Sequence, residues 1–198
     1  MSQTISEGCF FAVVGPSGSG KDSLIDGARS ALPSSTFVFA KRVITRPPGQ
    51  VGEDYESCTT SDFLRRQQQG DFIITWQAHD LHYGLPRALV DEQKQGKHIV
   101  ANCSRQAIDG LQKQVDNLVV LQIHANETTL ANRLRLRGRE TDEQIKHRLK
   151  RKSRPLPKNV TVVDIDNNGT LEEGRRQFVA AIEAFTQSGE SVKKVKKI

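Results

Sequence analysis

Short runs rich in β-branched and aromatic residues alternate along the chain with stretches whose apolar positions recur every three to four residues. The runs at 10–14, 36–40, 99–101, 118–123 and 160–165 predict strands. The amphipathic stretches at 21–32, 105–113, 127–137, 142–153 and 171–186 predict helices. This alternation is the pattern of a parallel sheet covered by helices, an α/β fold. Two of the helix starts carry capping-box chemistry, Thr141 with Gln144 and Thr170 with Glu173, in which a hydroxyl and a later Gln or Glu side chain satisfy free amides reciprocally. The stretch 42–95 breaks the alternation with a Pro47-Pro48-Gly49 turn, an acidic patch, a short helix from Ser61 and a strand-like run at 72–76. It is expected to form an inserted lobe. No internal repeat is present.

Composition narrows the class. With 198 residues, 36 % of them hydrophobic and 26 % charged, the chain is expected to form a single domain with a sizeable core. No apolar run approaches the twenty or so residues of a membrane helix, and the stretch 9–14 is too short and too poorly flanked for a secretory signal. The expected location is the cytoplasm. Cys9, Cys58 and Cys103 are odd in number and widely spaced, which argues against a disulfide framework and against a thiolate metal site. The net charge of +6 is local: residues 133–154 carry ten basic side chains against three acidic ones, and the tail 188–198 carries four lysines against Glu190. Charge alone does not choose between a nucleic-acid patch, a solvated helix face and a polyphosphate clamp.

The motif after the first strand does choose. Gly15-Pro16-Ser17-Gly18-Ser19-Gly20-Lys21-Asp22-Ser23 matches most of GxxxxGK[ST] and leads into a helix. Such a loop curls so that successive N–H groups point at phosphate oxygens, the helix N-terminus adds positive partial charge, and Lys21 reaches the transferred phosphate. Asp22 stands where a hydroxyl normally ligates magnesium, with Ser23 one place later. A carboxylate is also a hard oxygen ligand, so Asp22 is a candidate Mg²⁺ ligand, directly or through water. It is equally readable as a favourable acid in a first helical turn.

Arg133, Arg137 and Arg148 supply the second half of the chemistry. Arg133 and Arg137 are four apart and share a helix face, Gly138 can end that helix, and the box at Thr141 begins the next. The charges therefore flank a hairpin able to fold over a ligand, as a travelling phosphoryl group requires. Arg139 is a weaker candidate.

These elements, with Thr45-Arg46, Tyr55, Tyr83-Gly84 and the RLxxRG segment in the same order, resemble the guanylate kinase family over nearly the whole chain. The resemblance implies a phosphate-loop, nucleoside-monophosphate-kinase-like fold with a five-stranded parallel sheet. Its core would comprise 9–41 and 96–186, its acceptor lobe about 42–95 and its lid about 133–154, with a basic tail at 188–198. The base-reading carboxylates do not carry over: Ile74 stands at the guanine-reading Glu, and Ala101-Asn102-Cys103 replaces Asp-x-Asp at the end of the third core strand. A site stripped of needed polar partners loses orders of magnitude in discrimination.

Residues 42–47, 52–55 and 76–84 and the GKDS loop ending are similar to the ribose 1,5-bisphosphate phosphokinase branch. That resemblance implies ATP and Mg²⁺ as cofactors and a phosphorylated sugar as acceptor, converted to phosphoribosyl diphosphate during phosphonate use. Arg42, Arg46 and Arg87 are the candidate phosphate forks. Tyr55, Gln77, His79 and Tyr83 are further candidate acceptor ligands, with Glu53 and Asp54 as additional partners for ring hydroxyls. Trp76 has a packing reading beside the functional one. A guanylate kinase with an unusual base site and a non-catalytic binding module remain the alternatives. Neither a membrane nor a nucleic-acid partner is expected; homo-oligomerisation is open.

Overall fold

The computed structural model describes residues 7–48, 53–136, 138, 141–149 and 154–186. The chain runs β1 (Phe10–Val14), α1 (Lys21–Ala31), β2 (Phe37–Phe39), β3 (Arg42–Ile44), β4 (Tyr55–Ser57) and α2 (Thr60–Gln68). It continues through β5 (Phe72–Ala78), β6 (Leu81–Pro86), α3 (Ala88–Lys94), β7 (His98–Asn102), a 3-10 turn at Arg105–Ala107 and α4 (Ile108–Leu111). The remaining elements are β8 (Leu118–His124), α5 (Glu127–Leu136), α6 (Asp142–Leu149), β9 (Thr161–Asp166) and α7 (Leu171–Thr186).

β1 has no polar residue and is buried along its whole length, which suits only the centre of a sheet covered on both faces. It lies between β7 and β8 in a five-stranded parallel sheet of order β2-β7-β1-β8-β9. Strand alternation divides its side chains. Phe11 and Val13 meet Leu24 and Ala28 of α1 and Phe178 and Ile182 of α7. Phe10, Ala12 and Val14 face the other way, into a core that Ile108 and Leu111 of α4 share with Ile44, Trp76, Tyr83 and Leu85.

Those last four residues come from a second sheet, order β4-β3-β6-β5, in which β3 pairs parallel with β4 and antiparallel with β6. Its opposite face carries α2. A bulge between Phe72 and Ile74 breaks the alternation of β5, so Phe72 stacks on Phe63 of α2 at 4.8 Å while Ile74 packs toward the main core. The inserted lobe is thus continuous with the core through one apolar face. The short strands β3 and β4, β6 and the helix α3 carry no periodic run long enough to announce them.

The five core strands fall at the expected places, as do α1, α5 and α7, within a residue or two at the ends. The stretch 105–113 is shorter than its pattern suggests, a 3-10 turn followed by four α-helical residues. At its centre Gly110 is covered by Ile74, whose Cδ1 would stand 2.5 Å from a Cβ there. Both capping boxes form: Thr141 N–H donates to Gln144 at 2.9 Å and Gln144 N–H to Thr141 at 3.3 Å, and Thr170 and Glu173 exchange bonds of 2.8 and 3.2 Å. Among the described residues no helix is long and apolar enough to cross a membrane.

Candidate active site

The loop between β1 and α1 emerges at the carboxyl edge of the parallel sheet, where α/β folds place their ligands. Gly18 and Gly20 have φ of 88° and 90°, a region that costs side chains strain. At Gly20 a Cβ would also lie 2.5 Å from Asn167 Nδ2. These turns bury Ser19 completely and leave its hydroxyl without a hydrogen-bond partner among the described residues. Lys21 opens α1 and curls back over the loop, donating through Nζ to the carbonyls of Gly15 at 2.8 Å and Pro16 at 3.1 Å. Ser17 sits half-buried on the loop, and Ser23 follows inside α1, its carbonyl accepting from Arg175 Nε at 3.4 Å.

Two groups from distant chain segments fix this loop. Asn167, 1 % exposed just past β9, donates to the Ser19 carbonyl at 2.7 Å. Arg133 of α5 reaches the same carbonyl at 3.4 Å, so this member of the expected clamp stands beside the loop. Arg137, Arg139 and the side chain of Arg148 lie outside the described residues. Arg135 joins α5 to α6 by an ion pair with Asp142 at 2.7 Å.

Asp22 faces the end of β7, where Asn102 Nδ2 donates to its Oδ1 at 2.8 Å. Alternation explains this pairing: Ala101 and Cys103 point into the core, which leaves Asn102, between them, directed at the loop. Asn102 and Asn167 were not among the residues singled out from the sequence. Amides after a strand have no distinctive spacing, and only the fold brings them to the loop.

Across from the loop, the second sheet gathers Arg42, Arg46, Tyr55, Trp76 and Tyr83. Arg46 approaches the Tyr83 hydroxyl at 3.4 Å and lies over the Tyr55 ring, 5.3 Å from its centroid. The Tyr55 hydroxyl is tied to the Pro47 carbonyl. A groove of about 760 Å³ runs from Arg46 along Ser57, Thr59 and Arg66. Arg42 lies over Tyr83 at 5.0 Å and Trp76 at 5.9 Å, whose rings stack at 5.5 Å.

Three of the expected acceptor ligands have partners within the protein. Arg42 is not a free fork: Glu53 takes its Nε and one terminal nitrogen with both carboxylate oxygens. Burial opposes this charge, but Glu53, with Asp22 and Tyr83 behind it, holds its pKa above the usual arginine value. Gln77 is paired with His82 at 3.2 Å, on the α2 side of the sheet, because it alternates with Trp76. Arg87 donates to the carbonyls of Gly70 at 2.7 Å and Phe72 at 3.2 Å, clamping the open end of the β5–β6 hairpin. His79 is exposed in the hairpin turn, with φ of 54°.

Cys9 and Cys103 offer no nucleophile. Burial pushes the Cys9 thiol up to about 11 and the Cys103 thiol to about 12, the latter despite the Arg42 charge. No group of three or more His, Cys, Asp or Glu suited to hold a metal occurs among the described residues.

A glycine loop with its lysine at a helix start, a carboxylate behind it and an arginine beside it, all at the carboxyl edge of a five-stranded parallel sheet, defines a phosphate-loop protein of the kinase fold. The guanylate kinase family model matches residues 10–185, and the chain belongs to that family. Ribose 1,5-bisphosphate phosphokinase PhnN of Brucella melitensis is 41 % identical over 180 residues, which are 90 % of this chain and 94 % of that protein. The bifunctional ribose 1,5-bisphosphokinase-thymidine phosphorylase of Cupriavidus necator is 48 % identical over 181 residues, covering 91 % of this chain. The chain spans 30 % of the length of that relative. Among solved structures, the guanylate kinase from Anaplasma phagocytophilum superposes with a TM-score of 0.59 at 20 % identity, covering 96 % of this chain and 93 % of its own, a likeness of fold.

Replacing Asn167 by Ala leaves the buried Ser19 carbonyl short of its main donor, and a loss of about 1–3 kcal/mol is expected. Urea unfolding measures it; unchanged stability would show that the carbonyl does not depend on Asn167. At pH 8 a thiol with a pKa near 11 is only about 0.1 % thiolate. Ellman's reagent should therefore reach Cys9 and Cys103 only after unfolding, and prompt labelling of either in the native protein would contradict their burial.

Proposed function

We propose that this protein transfers the γ-phosphoryl group of ATP to the anomeric phosphate of ribose 1,5-bisphosphate, giving phosphoribosyl diphosphate and ADP in phosphonate catabolism. The observation that carries this reading is the nearness of two unlike surfaces, linked where Asp22 beside the loop acts on the charge of Arg42. One is an anion loop with Lys21, and the other an aromatic and cationic cluster in which Arg46, Tyr55 and Tyr83 converge. The names of the relatives support the acceptor, since the kinases among them are named for it at 41 % identity over nearly the full length.

The chain's residues fit a metal-bound triphosphate. The loop turns through Gly18 and Gly20 in the left-handed region, and Asp22 is oriented by Asn102. A single carboxylate is what Mg²⁺ asks of a protein when phosphate oxygens and water complete its shell. When bound, Mg²⁺ neutralises charge on the β- and γ-phosphates. The loop amides and Lys21 hold those phosphates, and Arg133 stands where charge spreads onto the travelling group. Arg137 and Arg148 complete the lid by their position in the sequence, over an acceptor lobe at about 42–95. The acceptor oxygen is already anionic at neutral pH. It attacks phosphorus while the bond to the β-phosphate oxygen breaks and ADP leaves with that electron pair. No strong general base is required; the attack needs shielding from repulsion, which Lys21 and Arg46 supply from opposite sides.

Ile74 favours a base-free acceptor. It sits against Gly110 within the apolar core and offers no hydrogen-bond partner to a nucleobase edge.

Lys21→Ala should lower kcat by roughly 10²- to 10³-fold or more, because the ammonium acts on charge that develops in the transition state. Near-normal turnover in an ADP-release assay would remove the loop from the mechanism. Arg46→Ala should raise KM for the acceptor roughly ten- to a hundredfold, the value of a charge-assisted hydrogen bond, with KM for ATP little changed. Run with ribose 1,5-bisphosphate, ribose 5-phosphate, GMP, dGMP and AMP, the same assay decides the acceptor. Turnover of GMP with none of the bisphosphate would restore guanylate kinase activity as the reading.

A further inference from the structure

We infer that the Arg42–Glu53 pair, lying on the stacked rings of Trp76 and Tyr83, recognises the vicinal hydroxyls of the acceptor's sugar ring, and that Arg46 alone of the two arginines takes its phosphate. The inference rests on the proposed reading of the acceptor as a phosphorylated ribose.

The two arginines stand on the same aromatic cluster with opposite electrostatics. Among the described residues no carboxylate pairs with Arg46, whose guanidinium meets only the Tyr83 hydroxyl and the Tyr55 ring. Arg42 is neutralised by Glu53, and both side chains are mostly buried, 12 % and 14 % exposed. A phosphate brought to Arg42 would meet the Glu53 carboxylate at close range in a poorly solvated place, where like charges repel strongly. A hydroxyl meets no such penalty. A guanidinium has five N–H donors and a carboxylate about four acceptor sites. The bidentate pair uses two of each and leaves donors and acceptors side by side. That combination suits a group that both donates and accepts, and two adjacent hydroxyls match the edge of a planar pair. The buried Tyr83 and Trp76 rings beneath Arg42 hold the pair in place. The geometry also explains why so buried an ion pair is kept: Arg42 holds the Glu53 carboxylate in one orientation.

A site built to bond a hydroxyl rejects an analogue without it, since its own buried groups are then left unpaired. The wild-type chain should therefore prefer ribose 1,5-bisphosphate over 2-deoxyribose 1,5-bisphosphate by at least about a hundredfold in kcat/KM. Glu53→Gln and Glu53→Ala should bring that ratio to within about fivefold, by losing activity on the ribose substrate, with KM for ATP little changed. Trp76 is the only tryptophan in the chain and lies beneath Arg42. Its fluorescence should titrate with ribose 5-phosphate at much lower concentration than with 2-deoxyribose 5-phosphate, and Glu53→Ala should abolish the difference. A full ribose preference retained in both Glu53 variants would overturn the inference while leaving the kinase reading intact. So would tighter acceptor binding by Glu53→Ala, which would mean that Arg42 is a phosphate fork held in check. If GMP proves to be the acceptor instead, the proposed function fails, and the comparison moves to GMP against dGMP. A preference for GMP that is lost with Glu53 sustains the hydroxyl reading, and equal use of the two ends it.

Discussion

The site depends on holding a short, glycine-rich piece of backbone in a conformation that the chain would not adopt unaided. The loop closes one turn on itself, Ser19 N–H donating to the Pro16 carbonyl at 3.2 Å, and other carbonyls of the loop take partners from side chains. The Ser19 carbonyl finds them in Asn167 at the far end of the sheet and in Arg133 on α5. Lys21 serves the same purpose at Gly15 and Pro16. The groups positioned to act on phosphate are therefore also the groups that keep the loop in shape.

This arrangement couples the three parts of the molecule. Asn167 follows β9, so the loop is in register only when that edge strand is in place. Arg133 belongs to α5, which gives that helix a direct hold on the loop. Asp22 acts on the charge of Arg42 in the second sheet and is itself oriented by Asn102. The loop and the second sheet are thus linked by a short polar chain from Asn102 through Asp22 toward Arg42 and Glu53, laid over an apolar core common to both sheets. Long-range ion pairs count for little at an exposed surface, but Arg42 and Glu53 are mostly buried and their geometry is fixed by two hydrogen bonds and two rings.

The second sheet shows how much a strand's two faces decide. Trp76 and Gln77 are neighbours in sequence, yet Trp76 lies under Arg42 while Gln77 pairs with His82 on the side of α2. Arg87 follows the Tyr-Gly element closely but turns back on the carbonyls of its own hairpin. The bulge at Phe72 and Ile74 shifts the phase of β5, and no rule of alternation applied to the sequence anticipates it.

The sequence by itself determined the parallel core, the phosphate loop, the helix caps and the arginine segment, because each is a local pattern: an apolar run, a glycine spacing, a hydroxyl three residues before a carboxamide or carboxylate. It also showed the loss of carboxylates at Ile74, Ala101 and Cys103. Three-residue strands such as β3 and β4 carry no periodicity and exist only because the hairpin beside them offers hydrogen-bond partners. Asn102 and Asn167 became loop-holding residues only when strands distant in sequence came side by side. Arg42 reads from the sequence as a phosphate fork because a lone arginine carries no mark of its partner. That Glu53, eleven residues further along the chain, neutralises it was decided by the tertiary structure, since a buried charge is held only where folding brings its counter-ion.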